Sequence, residues 1–283
     1  LMAKCVGSFA SLSAAFLISL GVGLLAARVT MSVVFAPSQW LRIGMLILAS
    51  LLYISTFLML GLFISACVQK SGTSLMISLL AWVILVLGIP NVVPIVAKQV
   101  APLESSQKMA SEMRAIEQEE WDKARQEMRR GMTREEQLRV ATETRRTIED
   151  RSEAISDSYR NKFIRQSSVA RMMSRISPSA CFTYASTTLA WTGVDAYEAF
   201  IRYVYDDFRA QFKKSLPEIR KRSQSPGQSS DQVDVTKLPE FAPKEPATGR
   251  ILSNSFMDIG LLFFYNALFF LGAFVKFLRY DVK

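Results

Sequence analysis

Two apolar runs, Ile43 to Val68 and Leu75 to Val96, each free of charged residues, meet at the polar turn Gln69-Lys70-Ser71-Gly72. A helix in a soluble core keeps at least one face toward water and rarely excludes charge from every face over such a length. A bilayer crossing requires it, since it takes about 20 predominantly apolar residues at about 1.5 Å rise each. The stretch from Leu41 to Val96 is therefore a pair of membrane spans joined by a short turn, and the rest of the chain is organised around it.

The chain has 283 residues, 50% of them hydrophobic and 21% charged, but these averages hide the layout. Apolar residues concentrate before Val100 and after Arg250, with most charges between, so the order is membrane, polar block, membrane. The formal net charge of +9 does not point to nucleic acid, because Lys and Arg alternate with Glu and Asp along helical stretches instead of forming one patch. With no histidine and three cysteines, Cys5, Cys67 and Cys181, in different regions, the chain lacks the inventory for a zinc site, a haem-attachment motif or a histidine-based nucleophile triad. No catalytic residue and no metal ligand is assigned.

The first span is expected at about 5–27. Its small residues recur every fourth position, at Ala3, Gly7, Ser11, Ala15, Ser19, Gly23 and Ala27, and Gly7, Ser11, Ala15, Ser19 and Gly23 are candidate helix-packing positions, since small-xxx-small rows let backbones approach in lipid. The first span follows Leu1 almost at once, and the expectation is a fragment with further spans ahead of it. A short loop leads to Trp40, suited to the membrane interface, and to Arg42, placed to snorkel. The third span, 75–96, is expected to bend or break at Gly88-Ile89-Pro90-Asn91 and Pro94, with Val92 to Val100 as an interfacial tail. Lys4, Lys70, Lys276, Arg279 and Lys283 on one side outnumber Arg28, Arg42 and Lys98 on the other, so the first set is assigned to the cytoplasm and the polar block to the opposite side.

Within that block the spacing predicts a helix over 105–130, an interruption at Gly131 and a second helix opened by a capping box, Thr133 with Glu136. The two form an antiparallel helical hairpin with a narrow apolar seam. Ile176-Ser-Pro-Ser-Ala180 ends the second helix. Two amphipathic pieces follow, 180–191 and 194–212, hinged at Gly193, and the second has an aromatic face including Tyr197, Phe200, Tyr203 and Phe208. Such a face suits the bilayer surface or the mouth of the membrane domain, although packing against the hairpin is the commoner use of an amphipathic face. Residues 223–250, rich in Ser, Gln, Asp and Pro, are expected to be an extended linker. The last span, 256–274, contains Asn266 and, near its outer end, Asp258, which is expected at the interface because a carboxylate at mid-span costs about 2.5 to 3.5 kcal/mol.

These stretches together resemble the permeases of ABC exporters of the ABC-2 type, in the subgroup with a large extracytoplasmic helical insertion before the last span. The central hairpin is similar over Tyr53-Ile-Ser-Thr-Phe-Leu-Met-Leu-Gly-Leu-Phe-Ile-Ser65, the polar turn and Trp82 to Pro90; the insertion over Ile176-Ser-Pro-Ser-Ala180 and Leu189-Ala-Trp-Thr-Gly193; the cytoplasmic end over Phe277-Leu-Arg-Tyr-Asp-Val282. The resemblance implies an all-α, polytopic membrane protein of which four spans are visible, the last four of six, with an extracytoplasmic helical-hairpin domain. The domain organisation expected is a membrane domain over 1–97 (spans at about 5–27, 43–68 and 75–96), an insertion over 98–222, a linker over 223–250, and the last span with a cytoplasmic tail over 251–283.

The function implied is that of a non-catalytic permease subunit in the bacterial inner membrane, homodimeric or pseudo-dimeric, driven by a separate ATP-binding-cassette subunit that would hold ATP and Mg; no Gly-x-x-x-x-Gly-Lys-Ser/Thr cradle occurs in this chain. Gln69, Lys70, Ser71, Gly72 and Thr73, with Phe277, Arg279, Tyr280 and Asp281, are the candidate contacts with that ATPase. Tyr197, Phe200, Tyr203, Phe208 and Asp258 are candidates for an outer gate or interface, where an extracytoplasmic partner would also be met. Two rivals stand beside this reading. A secondary transporter is disfavoured by the scarcity of ionisable groups in the spans. The other rival is a membrane-anchored sensor or mechanotransmission module that relays motion to an extracytoplasmic partner.

Overall fold

The computed structural model describes residues 2–31, 36–129, 131–215, 239–243 and 245–278, and every regular element among them is helical. In order these are α1 (Met2–Met31), α2 (Pro37–Cys67), α3 (Ser71–Val83), α4 (Ile89–Val100), α5 (Ser106–Met128), α6 (Arg134–Ser174), α7 (Pro178–Ala190), α8 (Val194–Arg202) and α9 (Thr248–Leu278), with π-helical turns at Ile84–Gly88, after α3, and Tyr203–Phe208, after α8. Four stretches are long and apolar enough to cross a membrane: Val6–Thr30, Pro37–Cys67, Ser71–Val100 and Thr248–Leu278. The protein is thus an all-α polytopic membrane protein. Most of the expected linker, like the tail beyond 278, lies outside the described residues.

The described chain forms two compact units, one of residues 1–89 with 175–283 and one of residues 90–174. In the first, α2, α7 and α9 pack on one another, around a core in which Ala49 of α2, Ala185 and Leu189 of α7 and Ile259 of α9 are buried together. Ala49 and Ala185 are fully buried in this core, and beside them Tyr53 and Phe182 stack at 4.5 Å. The piece expected to be merely amphipathic, α7, buries Pro178, Ser179, Ala180, Cys181, Ala185, Thr188 and Leu189, and so is enclosed on more than one side. Farther along, Gly272 of α9 lies flat on Phe63 of α2, so close that a Cβ there would stand 2.8 Å from the ring.

The third span does not stop where Gly88 and Pro90 predict. Ile89 N–H reaches back five residues to the Ile84 carbonyl, and helix continues through Pro94 to Val100. In this widened register the Leu85 carbonyl would be addressed by position 90, a proline with no N–H. Two hydroxyls take its place, from Ser177 at 2.5 Å and Ser179 at 3.0 Å. The Ser-Pro-Ser motif therefore has two tasks. Ser177 caps α7 by accepting from Ser179 N–H, with Pro178 in the first turn, and both serines satisfy a carbonyl that the π turn strands.

Gly193 does precede α8, but the residue in the left-handed region is Trp191, at φ 56° and ψ 44°. Gly193 is needed instead for space: a Cβ would sit 2.9 Å from Thr187 Oγ1.

The second unit holds the helical hairpin. Ser105 caps α5 by accepting from Lys108 N–H at 3.2 Å. The box that starts α6 has Thr133 N–H donating to Glu136 Oε2 at 2.8 Å, and Gly131, at φ 82°, supplies the turn between the helices. The pairs Glu120–Arg151 at 2.6 Å and Glu104–Lys162 at 3.3 Å set α5 and α6 antiparallel. Gln166 adds a bond to the Ala101 carbonyl at 2.8 Å. Leu138, near the start of α6, is exposed, so the seam is closed at Ala124 and the ion pairs but not near the turn.

Candidate functional site

Helix α2 ends at Cys67 and α3 begins at Ser71, and the three residues between them are too few to hide either terminus. Lys70 is the extended N-cap of α3 and has no side-chain cap. The first intrahelical bond is Ser74 N–H to the Lys70 carbonyl at 3.0 Å, which leaves the N–H groups of Ser71, Gly72 and Thr73 without an intrahelical acceptor. No acidic residue lies in this first turn, so the positive end of the helix and the exposed Lys70 reinforce each other. Against the same turn comes Phe277, from the last turn of α9. Gln69, Ser71 and Phe277 line one cavity of about 520 Å³, together with Ser65, Ser74 and Leu75. Its walls offer hydroxyls, an amide and an apolar ring but no charged side chain.

Of the residues singled out in the sequence, the structure thus brings together two groups far apart in the chain, the hairpin turn and the end of the last helix. Arg279, Tyr280 and Asp281 lie outside the described residues. Gly7, Ser11, Ala15, Ser19 and Gly23 share an exposed strip of α1; Ser11 and Ser19 turn their hydroxyls back to the carbonyls of Gly7 and Ala15, at 3.0 and 2.9 Å, and nothing in the described chain covers them. Phe200, Tyr203 and Phe208 form an aromatic cluster with Phe241, at centroid distances of 5.9, 5.6 and 5.1 Å, and Tyr197 stands exposed beside them.

Asp258 is a different case. Its side chain is only 1% exposed and grips Arg175, 16% exposed, through Nε at 2.6 Å and Nη2 at 3.0 Å. The hydrogen bond to Asp258 holds the guanidinium above its ordinary pKa. Around this fork the chain entering α7 is fixed to α9: Tyr265 Oη donates to the carbonyls of Arg175 and Ile176 at 2.9 and 2.8 Å, and Cys181 Sγ lies 3.4 Å from the Arg175 carbonyl. Burial pushes the Cys181 thiol up to about 12. Arg175 was invisible as one more cation at the end of a charged helix. The signal was Asp258 itself, since an aspartate inside a span calls for a cation.

Arg42, expected to snorkel, is instead held between the Leu189 carbonyl (2.8 Å) and Glu245 (2.9 Å). Asn266, also noted in the sequence, donates from Nδ2 to the Leu52 carbonyl, Thr56 Oγ1 and the Leu262 carbonyl at 2.9, 2.7 and 3.0 Å, a polar clasp between α9 and α2.

A family profile described as ABC-2 family transporter protein matches residues 1–282. The chain belongs to the ABC-2 transporter family. No curated protein and no solved structure matches it. Membership makes the chain the membrane permease component of an ABC transporter, a multi-pass membrane protein, and implies an ATP-binding-cassette partner.

Proposed function

We propose that this ABC-2 permease is the membrane half of an exporter in a bacterial inner membrane, and that its separate ATPase subunit docks on the α2–α3 turn and the end of α9. One observation carries the reading: Gln69, Ser71 and Phe277, more than two hundred positions apart in sequence, line one cavity where two apolar helices end. The positive character of the turn, from Lys70 and an uncapped helix N-terminus, agrees with its assignment to the cytoplasm by the positive-inside rule. On this reading residues 98–250 are extracytoplasmic and a second permease, identical or related, completes the pathway. ATP and Mg bind in the partner, and hydrolysis there shifts the spans between inward-open and outward-open packings.

The test is purification of the protein from its native membrane in mild detergent. A stoichiometric ATP-binding-cassette subunit should be retained, then lost in Lys70→Glu or on truncation before Phe277. Retention through both changes would move the contact elsewhere.

A second reading has one observation in its favour. Helix α6 runs for 41 residues, about 60 Å, which suits a lever that relays motion to an extracytoplasmic partner. An envelope protein recovered in place of an ATPase, and lost on deleting 105–175, would favour this relay over a pump.

A further inference from the structure

We infer that α8, its continuation to Ser215 and Phe241 form a lipid-binding surface that lies in the headgroup zone of the bilayer. This rests on the chain being a membrane protein and not on where the ATPase docks.

The segment has two faces of opposite character. Glu198, Arg202, Asp207 and Gln211 line a polar cavity of about 710 Å³, along with Glu240, Glu245 and Arg250. None of Tyr197, Phe200, Tyr205 and Phe212 lines it. These aromatics are instead turned outward, Tyr197 at 52% exposure, Tyr205 at 41% and Phe212 at 36%. Phe241 extends the same apolar face by packing on Phe200 and Phe208; it also meets Tyr203, which borders the cavity, where Ala242 N–H donates to Tyr203 Oη at 3.1 Å. A face of this kind turned to water would lose its hydrophobic contribution entirely, while aromatic rings with polar tips are stabilised at a membrane interface.

What chooses lipid as the occupant is the level at which the surface is fixed. A few residues beyond Phe241, Glu245 binds Arg42, in the second turn of α2, and the same guanidinium holds the Leu189 carbonyl near the end of α7. Helix α9 begins at Thr248, and its Arg250 and Asn254 line the polar cavity beneath α8. The aromatic segment is thereby tied to the starting turns of two helices of membrane-crossing length, where exposed Trp40 also stands. Apolar span surface below and headgroups beside it make the aromatic face continuous with a surface already committed to lipid. Exposed Lys214, toward the end of the segment, supplies positive charge for phosphates.

The test uses the full chain in phosphatidylcholine–phosphatidylglycerol vesicles, with Cys5 and Cys67 changed to Ser and single spin-labelled cysteines at Tyr197, Tyr205 and Phe212. Glu198 and Gln211, on the cavity side, are the controls. Labels at the three aromatic positions should collide more with oxygen than with a water-soluble nickel chelate, and the controls the reverse. Chelate access at the aromatic positions equal to that at Gln211 would overturn the proposal in favour of water, and exclusion of both reagents would overturn it in favour of a covering protein. Should a variant fail to fold, the unmodified chain in nanodiscs containing a photoactivatable phospholipid gives the same decision: crosslinks within 194–215 support the inference and their absence refutes it.

Discussion

Replacing Arg175 with Met removes the fork around Asp258 and leaves a carboxylate with 1% exposure and no counter-charge. An ion pair of this kind contributes little relative to an apolar pair, because desolvation offsets attraction, but stranding one partner costs about 3–5 kcal/mol. The two partners are not equivalent. Asp258 is enclosed, whereas Arg175 retains 16% exposure and a long stem with which to reach solvent, so Asp258→Asn should be the milder change. Arg175→Met with Asp258→Leu removes both charges and should recover most of the loss, a coupling of about 3 kcal/mol between the sites. At about 2–4 °C per kcal/mol, the single Arg175 variant should melt about 6–20 °C below the parent, followed as the surviving monodisperse peak after heating in detergent. Equal destabilisation in single and double variants, or a shift below about 2 °C for Arg175→Met, would refute the argument that the pair is held by mutual necessity.

Three further outcomes follow from other contacts. Cys181, buried and with its thiol held up to about 12, remains protonated as pH rises from 7 to 9, so maleimide should label exposed Cys67 and leave Cys181 unmodified in a Cys5→Ser background until the protein is denatured. Ser177→Ala with Ser179→Ala strands the Leu85 carbonyl and should cost about 1–3 kcal/mol; Ser179→Ala alone should cost much less because Ser177 remains, a difference readable in the same melting assay. Gly272→Ala drives a methyl into Phe63 and should destabilise by about 1–3 kcal/mol, with Phe63→Leu in the same chain restoring part of the loss.

Local chemistry was legible in the sequence and distant pairing was not. The capping box at Thr133 could be read because its partner, Glu136, lies three residues on. The spans could be read from charge exclusion alone. The π turn at 84–88 escaped, since Gly88 and Pro90 have the composition of a helix end, and what lets the helix pass is a pair of hydroxyls more than ninety residues later. The partner of Asp258 escaped for the same reason: the cation that compensates it is 83 positions earlier. At the candidate site, the turn at Gln69 and the ring at Phe277 were both selected from sequence, but that they share one cavity is a fact of packing.

The clasp between α2 and α9 has a consequence in time. Thr56 and Asn266 are 210 residues apart, and at about 5–20 residues per second of synthesis the first waits about 10–40 s for the second to be made. During that interval α2 is already in place without its eventual neighbour. Thr56 is equipped for the delay, because its hydroxyl donates to the Leu52 carbonyl one turn back at 2.7 Å, a bond that needs nothing but α2 itself. When Asn266 arrives it donates to that pair as it stands, so the Thr56 hydroxyl is never left open in lipid while the chain that carries its partner is still unwritten.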